Sequence, residues 1–273
     1  MQCNILGIGA YGPGFSNWET LKKRLDGALI SSPDKRRPDI PRPAILSPIV
    51  SRRAPGIVKL ALETATQAFD ETTILPRDTA CVFGSSMGDS ELLDYMCRTV
   101  ATMTPALSPT KFHNSVHNAP TGYWTIATDC HHSANSIAAY DVTTSIALLE
   151  ALVMCSVERR PVLMVLYDIA LQVPLHDFIP ISEPFAAAIL IAPVSEPEAE
   201  QPNYYPTLTG ETIATVAEWP RCTMVAECES LNSIYNTNPA GRILVLLEKI
   251  SHHDYGPMSL PLGTGSSLLL SLS

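Results

Sequence analysis

Three short uncharged runs, Thr79–Phe83, Val162–Tyr167 and Phe185–Ala192, limit most strongly what this chain can fold into. Each has the length and apolar content of a strand buried on both faces. Before and between them apolar residues return at helical spacing: Ile57, Leu60, Ala61 and Ala68 within Ile57–Phe69, and Ile146, Leu149, Leu152 and Val153 within Val142–Cys155. A first strand at Gln2–Ile8 and a helix at Trp18–Leu25 precede them, and the turn Gly84–Gly88 leads from the second strand into a helix at Ser90–Val100. Alternating buried strands and helices predict a layered α/β fold with a largely parallel sheet between helices.

The remaining elements follow from the same rules. Asn114–Ile126 reads as a helix with Pro120 tolerated in its first turn, and Ala134–Ala139 reads as a further buried strand. Asp141 follows at once, placed to cap the helix from Val142. A helix is expected at Cys222–Tyr235 and a strand at Arg242–Glu248, before a tail of Gly, Ser and Leu. Residues 31–43, with four prolines, read as an extended surface loop, and residues 194–206, with three glutamates and three prolines, as an acidic linker. The expected organisation is one domain over 1–193, a linker over 194–206 and an extension over 207–273 that completes the domain.

Charge and cysteine usage narrow the function. The chain has 18 Lys and Arg against 27 Asp and Glu, a formal net charge of -9, which disfavours nucleic acid as a partner. Cysteines at 3, 81, 97, 130, 155, 222 and 228 form no CxxC pair, so neither a disulfide framework nor a zinc ribbon is expected, and a reducing cytoplasm is the plain reading. No signal peptide is visible. The apolar stretches Ser145–Cys155 and Ala186–Pro193 are shorter than the ~20 residues that span a bilayer.

Two nucleophile arrangements can be read from the residues. Gly84-Ser85-Ser86-Met87-Gly88 fits the GxSxG elbow of a serine hydrolase, which would need Asp168 and then His252 or His253 as partners. Cys130, beside His131 and His132, is preceded by Ala127-Thr128-Asp129; polar residues follow it, whereas an elbow nucleophile is followed by a buried helix. His131 and His132 lack a partner at metal-ligand spacing. His113 and His117, four apart on the expected helix, would share a face.

Longer stretches carry a family resemblance. Ile5-Leu6-Gly7-Ile8-Gly9-Ala10 with Trp18-Glu19-Thr20-Leu21 resembles the opening strand and helix of a β-ketoacyl synthase, and Gly84–Gly88 resembles its glycine-rich turn. The run from Asn118 through Gly122 to Ser136-Ile137-Ala138-Ala139-Tyr140-Asp141 is similar to the segment that ends in that enzyme's nucleophile elbow, with Asp141 where the cysteine belongs. The run from Ser108-Pro109-Thr110-Lys111-Phe112-His113-Asn114 to Tyr123-Trp124 is similar to the signature of the chain length factor-like branch found with aryl polyene and dialkylresorcinol pathways.

The resemblance implies a thiolase-like fold, in essence the N-terminal half of a ketosynthase with a truncated second half, because no histidine motif of that half follows Asp141. It implies a non-catalytic subunit that pairs with an active ketosynthase in type II polyketide synthesis, meets an acyl carrier protein transiently, and needs no cofactor or metal. Met87, Leu92, Leu93, Met96, Phe112, His113 and His117 become the candidates for the tunnel or the subunit interface, with Met87, Leu92, Leu93 and Met96 otherwise read as the apolar face of a core helix.

Overall fold

The computed structural model describes residues 1–27, 40–102, 106–194, 205–221, 228–263 and 265–273. Most of the Pro-rich loop and of the acidic linker, and the start of the helix expected at Cys222, lie outside these residues. The strands are β1 (Gln2–Tyr11), β2 (Ala80–Gly84), β3 (Ala134–Ile137), β4 (Val162–Asp168), β5 (Phe185–Pro193), β6 (Thr207–Ile213), β7 (Met258–Pro261) and β8 (Ser267–Leu272). The helices are α1 (Trp18–Leu25), α2 (Pro48–Arg53), α3 (Gly56–Gln67), α4 (Ser90–Val100), α5 (Pro109–Asn114), α6 (Ala119–Thr128), α7 (Thr143–Glu158), α8 (Glu229–Thr237) and α9 (Leu244–Ser251).

All eight strands join one sheet in the order β3-β2-β4-β5-β1-β6-β8-β7. Alternate side chains of β2 and β4 feed two cores. Ala80, Val82, Val162, Met164 and Leu166 face α1, α7, α8 and α9, whereas Cys81, Phe83, Leu163, Val165 and Tyr167 face α3 and α6. Glycines let α3 lie close on β1: a Cβ at Gly7 would stand 2.0 Å from the Ala68 carbonyl oxygen, and one at Gly9 2.1 Å from that of Thr64. The layered α/β expectation holds.

Several local expectations do not. The sheet is mixed rather than largely parallel, since only β2–β3 and β2–β4 pair in parallel. Only a one-turn 3-10 helix, Leu175–Asp177, and no crossover α-helix separates β4 from β5, and the chain returns antiparallel. Residues 242–248 are not a strand but the end of a 3-10 turn, Pro239–Ile243, and the start of α9. Leu244, Val245, Leu246, Leu247 and Ile250 are all buried, and an apolar run buried all round has no periodicity to distinguish helix from strand. The tail forms the β7–β8 hairpin, which extends the sheet through β6 to the free edge of β1.

The helix expected over Asn114–Ile126 is two helices, because the chain breaks after Asn114 and restarts at Ala119 with Pro120 in the new first turn. His113 and His117 therefore do not share a helix. The strand expected at Ala134–Ala139 is the shorter β3, partly exposed because it occupies the sheet's edge. Residues Tyr140–Glu158 form a continuous helical span of 19 residues, long and apolar enough by composition to cross a membrane, contrary to the shorter run counted in the sequence. Ala147, Leu148, Ala151, Leu152 and Cys155 of this span are buried against the sheet, as in a core helix.

Candidate functional site

Three features meet at the end of the sheet where β2, β3 and β4 point. The first is the elbow from β3 into α7. Tyr140 takes a positive φ of 50°, a strained value for a bulky residue, and Tyr140–Val142 forms a 3-10 turn before α7 begins at Thr143. Asp141 is therefore not the cap of α7, whose N-cap is Val142 without a side-chain bond. Its carboxylate turns instead to the C-terminal segment. Trp219 donates its indole N–H to one oxygen at 3.0 Å, and Arg242 donates to the other at 3.2 Å. The Arg242 guanidinium lies between the rings of Trp219 and Tyr235, 5.1 and 5.2 Å from their centres. Both nucleophile chemistry and capping are thus displaced by an ion pair. Trp219 and Arg242 were not legible as its partners, since they stand 78 and 101 residues away in sequence.

The second feature is the glycine turn. Asp168, buried at the end of β4, accepts from the Ser85 hydroxyl at 2.8 Å and from the amides of Ser86 and Met87 at 2.9 and 3.4 Å. Its other oxygen accepts from the Ala240 amide at 3.3 Å. Burial pushes this carboxyl up to about 6, although all four hydrogen bonds pull it down. Ser85 also accepts from the Gly88 amide at 2.9 Å, and a ring nitrogen of His117 lies 2.9 Å from the Ser85 carbonyl oxygen. Gly88 has φ +62°, which favours glycine at the step into α4.

This geometry does not assemble a hydrolase triad. The Ser86 hydroxyl is buried without a hydrogen-bond partner among the described residues, and it is Ser85 that reaches Asp168. His252 sits on the Leu25 carbonyl oxygen at 3.0 Å, and His253 faces Tyr255. Cys130 is buried, its thiol donating to the Thr79 carbonyl oxygen at 3.1 Å. His131 is exposed beside Asp129, and His132 contacts Arg160.

The third feature is an uncovered apolar surface. Among the residues of α4 only Ser90 is buried; Leu92, Leu93 and Met96 are half-buried or exposed, as is Met87 before the helix. They are not the core face that sequence periodicity suggests, because α4 stands out from the sheet with α5 as its main neighbour. Lys111 reaches back from α5 to lie 3.6 Å from the centre of the Tyr95 ring. Phe112, Val116, Ile126 and Tyr140 are exposed on the same run of elements. Between α2, α5 and α6 lies a cleft of about 770 Å³ that includes Leu46, Val50, Arg53, His113, Val116 and Ile126, with no acidic side chain among the described residues that line it. Of the expected site residues it takes only His113; Arg53 and Ile126, missed in the sequence, belong to it because three separate helices converge there.

The β-ketoacyl synthase N-terminal domain model matches residues 26–236. No curated protein matches the sequence. Among solved structures, one chain of the complex between the ketosynthase ApeO and its chain length factor ApeC from Xenorhabdus doucetiae superposes with a TM-score of 0.71 at 19% identity, covering 99% of each chain. The ishigamide ketosynthase/chain length factor gives 0.70 at 13% identity, over 100% of this chain and 99% of that one. The type II polyketide synthase complex AntDE:AntF gives 0.73 at 12% identity, over 100% and 99%. The fold is thus that of the N-terminal ketosynthase half, thiolase-like, with a mixed sheet between helices.

Proposed function

The chain belongs to the β-ketoacyl synthase N-terminal domain family, and from that premise we propose that it is the non-catalytic, chain length factor subunit of a type II polyketide system of the aryl polyene kind. The observation that carries the reading is Asp141. Condensation needs a thiolate that can accept an acyl group as a thioester. At this elbow stands a carboxylate held by Arg242 and Trp219, and it offers no such nucleophile. Decarboxylation and condensation then belong to a partner ketosynthase, which an acyl carrier protein supplies.

The uncovered surface supports the pairing. Among the described residues β3 is the edge strand, with no neighbour on the side away from β2; Ile126, on α6 packed against it, is 84% exposed, and Phe112 on α5 is 58% exposed. In this reading residues 1–193 and 207–273 form one unit, and α4 with α5 presents the wall along which the growing chain is measured. The test is co-expression with a full-length ketosynthase encoded nearby. The expected result is a soluble heteromeric complex, with the chain alone self-associating; a well-behaved monomer at micromolar concentration that ignores the ketosynthase would overturn the proposal.

A further inference from the structure

The segment Asn238–Arg242 touches three parts of the site at once. Its Pro239 carbonyl accepts from the Thr144 hydroxyl in the first turn of α7 at 2.7 Å, its Arg242 holds Asp141 at the elbow, and its Ala240 amide donates to Asp168. Asn238 closes the bracket, accepting from the Ala240 amide at 3.0 Å and donating to the Glu183 carbonyl oxygen at 3.0 Å. Asp168 is the only one of these groups that also binds the glycine turn among the described residues, through Ser85, Ser86 and Met87. Ser85 passes that restraint to Gly88, one residue before the Asp89 cap of α4.

We propose that Asp168 is a positioning residue that ties the bracket Asn238–Arg242 to the glycine turn, so that the elbow and the start of α4 move as one body and the C-terminal segment sets the position of the α4 wall. The inference rests on the chain length reading above. A buried carboxylate accepting four hydrogen bonds has two separable links, one from each oxygen. The oxygen toward Ala240 fixes the bracket, and the oxygen toward Ser85 fixes the turn.

Protonation would place an O–H where a donor now points, so the links should loosen as pH falls through about 6. The titratable side chains on the elements packed against Asp168 are Tyr167 on its own strand, His117 on the Ser85 carbonyl, Asp89 at the α4 cap, and Arg242, which is paired with Asp141.

The test uses the co-purified complex with its ketosynthase and two variants that cut different links. Asp168→Asn retains an acceptor for the turn but presents an amide N–H₂ to the Ala240 N–H; Ser85→Ala keeps the carboxylate and removes the bond to Gly88. Hydrogen exchange is followed over residues 84–100 and 238–246, and product length is measured from pH 5.5 to 8.

For Asp168→Asn, exchange should rise in both segments together. The ratio of the main product to its two-carbon-longer neighbour should fall about tenfold, the low end of what an apolar pocket discriminates per methylene, and should no longer vary with pH. The wild type should approach that distribution at the acid end. Ser85→Ala should loosen residues 84–100 alone. Unchanged exchange over 84–100 in Asp168→Asn, or a wild-type product distribution indifferent to pH, refutes the coupling. A wild-type complex that makes no length-defined product refutes the chain length reading instead, and the exchange data still decide whether Asp168 couples the two segments. If Asp168→Asn does not assemble, Gly241→Ala replaces it: a Cβ there would stand 2.6 Å from the Ile234 carbonyl oxygen and must displace the bracket. Exchange over 84–100 must then rise, or the proposal fails.

Discussion

Removing the Asp141–Arg242 pair tests what occupies the elbow. Asp141 has a side chain 44% exposed and Arg242 one 14% exposed, so the Coulombic part is screened and contributes at most about 1 kcal/mol. Arg242 has a second role, because its guanidinium lies against Trp219 and Tyr235. A partly desolvated cation–π contact contributes roughly 0.5 to 2 kcal/mol. Arg242→Met, which keeps most of the stem but not the charge, should therefore cost roughly 0.5 to 3 kcal/mol. Asp141→Asn, which can still accept from Trp219, should cost about 1 kcal/mol or less. The double variant should cost less than the sum, with a coupling of about 1 kcal/mol that shrinks in high salt, where the screening length falls to about 3 Å. Urea titrations of the four proteins in complex with the partner measure the cycle. A coupling of zero, with Asp141→Asn abolishing product while leaving stability intact, would refute this account and make Asp141 a residue that acts on substrate.

Further outcomes follow from burial and charge. Incubation with acyl carrier protein substrates, a ketosynthase-directed covalent inhibitor or a fluorophosphonate should leave Cys130 and Ser86 unmodified by intact mass, because the Cys130 thiol is buried on the Thr79 carbonyl and the Ser86 hydroxyl is buried with no hydrogen-bond partner among the described residues to activate it. Burial also pushes the Cys81 and Cys155 thiols up to about 12, so among the cysteines of the described residues a general thiol alkylator should label the exposed Cys97 first. Ala at Met87, Leu93 or Met96 should leave the complex folded, since none lies in the chain's own core, and should lengthen the product by about one two-carbon unit; three stable complexes with unchanged product mass would remove α4 from the tunnel. Asp168 is raised from 3.8 to about 6, so the folded chain binds that proton more tightly than the unfolded one. Its contribution, on the order of 3 kcal/mol, is present below 3.8 and lost as pH rises through 6, and Asp168→Asn should flatten the pH dependence of the urea midpoint in that window.

The local pattern of the chain was enough for the layered α/β architecture, because strands such as Val162–Asp168 are short apolar runs of strand length and helices such as Trp18–Leu25 repeat their apolar residues at helical spacing. The same was true of the elbow's location, since the strand, turn and apolar helix around Asp141 are contiguous. Residues 242–248 were not legible, because a segment buried on every side shows no face, and its helical state follows from the pocket of neighbours that closes around it. The surface role of α4 was equally hidden: its Leu and Met spacing is the same whether the face meets its own core or another protein. Only the tertiary structure brought Trp219 and Arg242 to Asp141, and Ala240 and Ser85 to Asp168, since ion pairs and hydrogen bonds between residues 72 to 101 positions apart depend on how the sheet and its extension are stacked. Short-range patterns determine which elements form; long-range packing decides which side chains those elements bring together, and the site of this protein lies in the second.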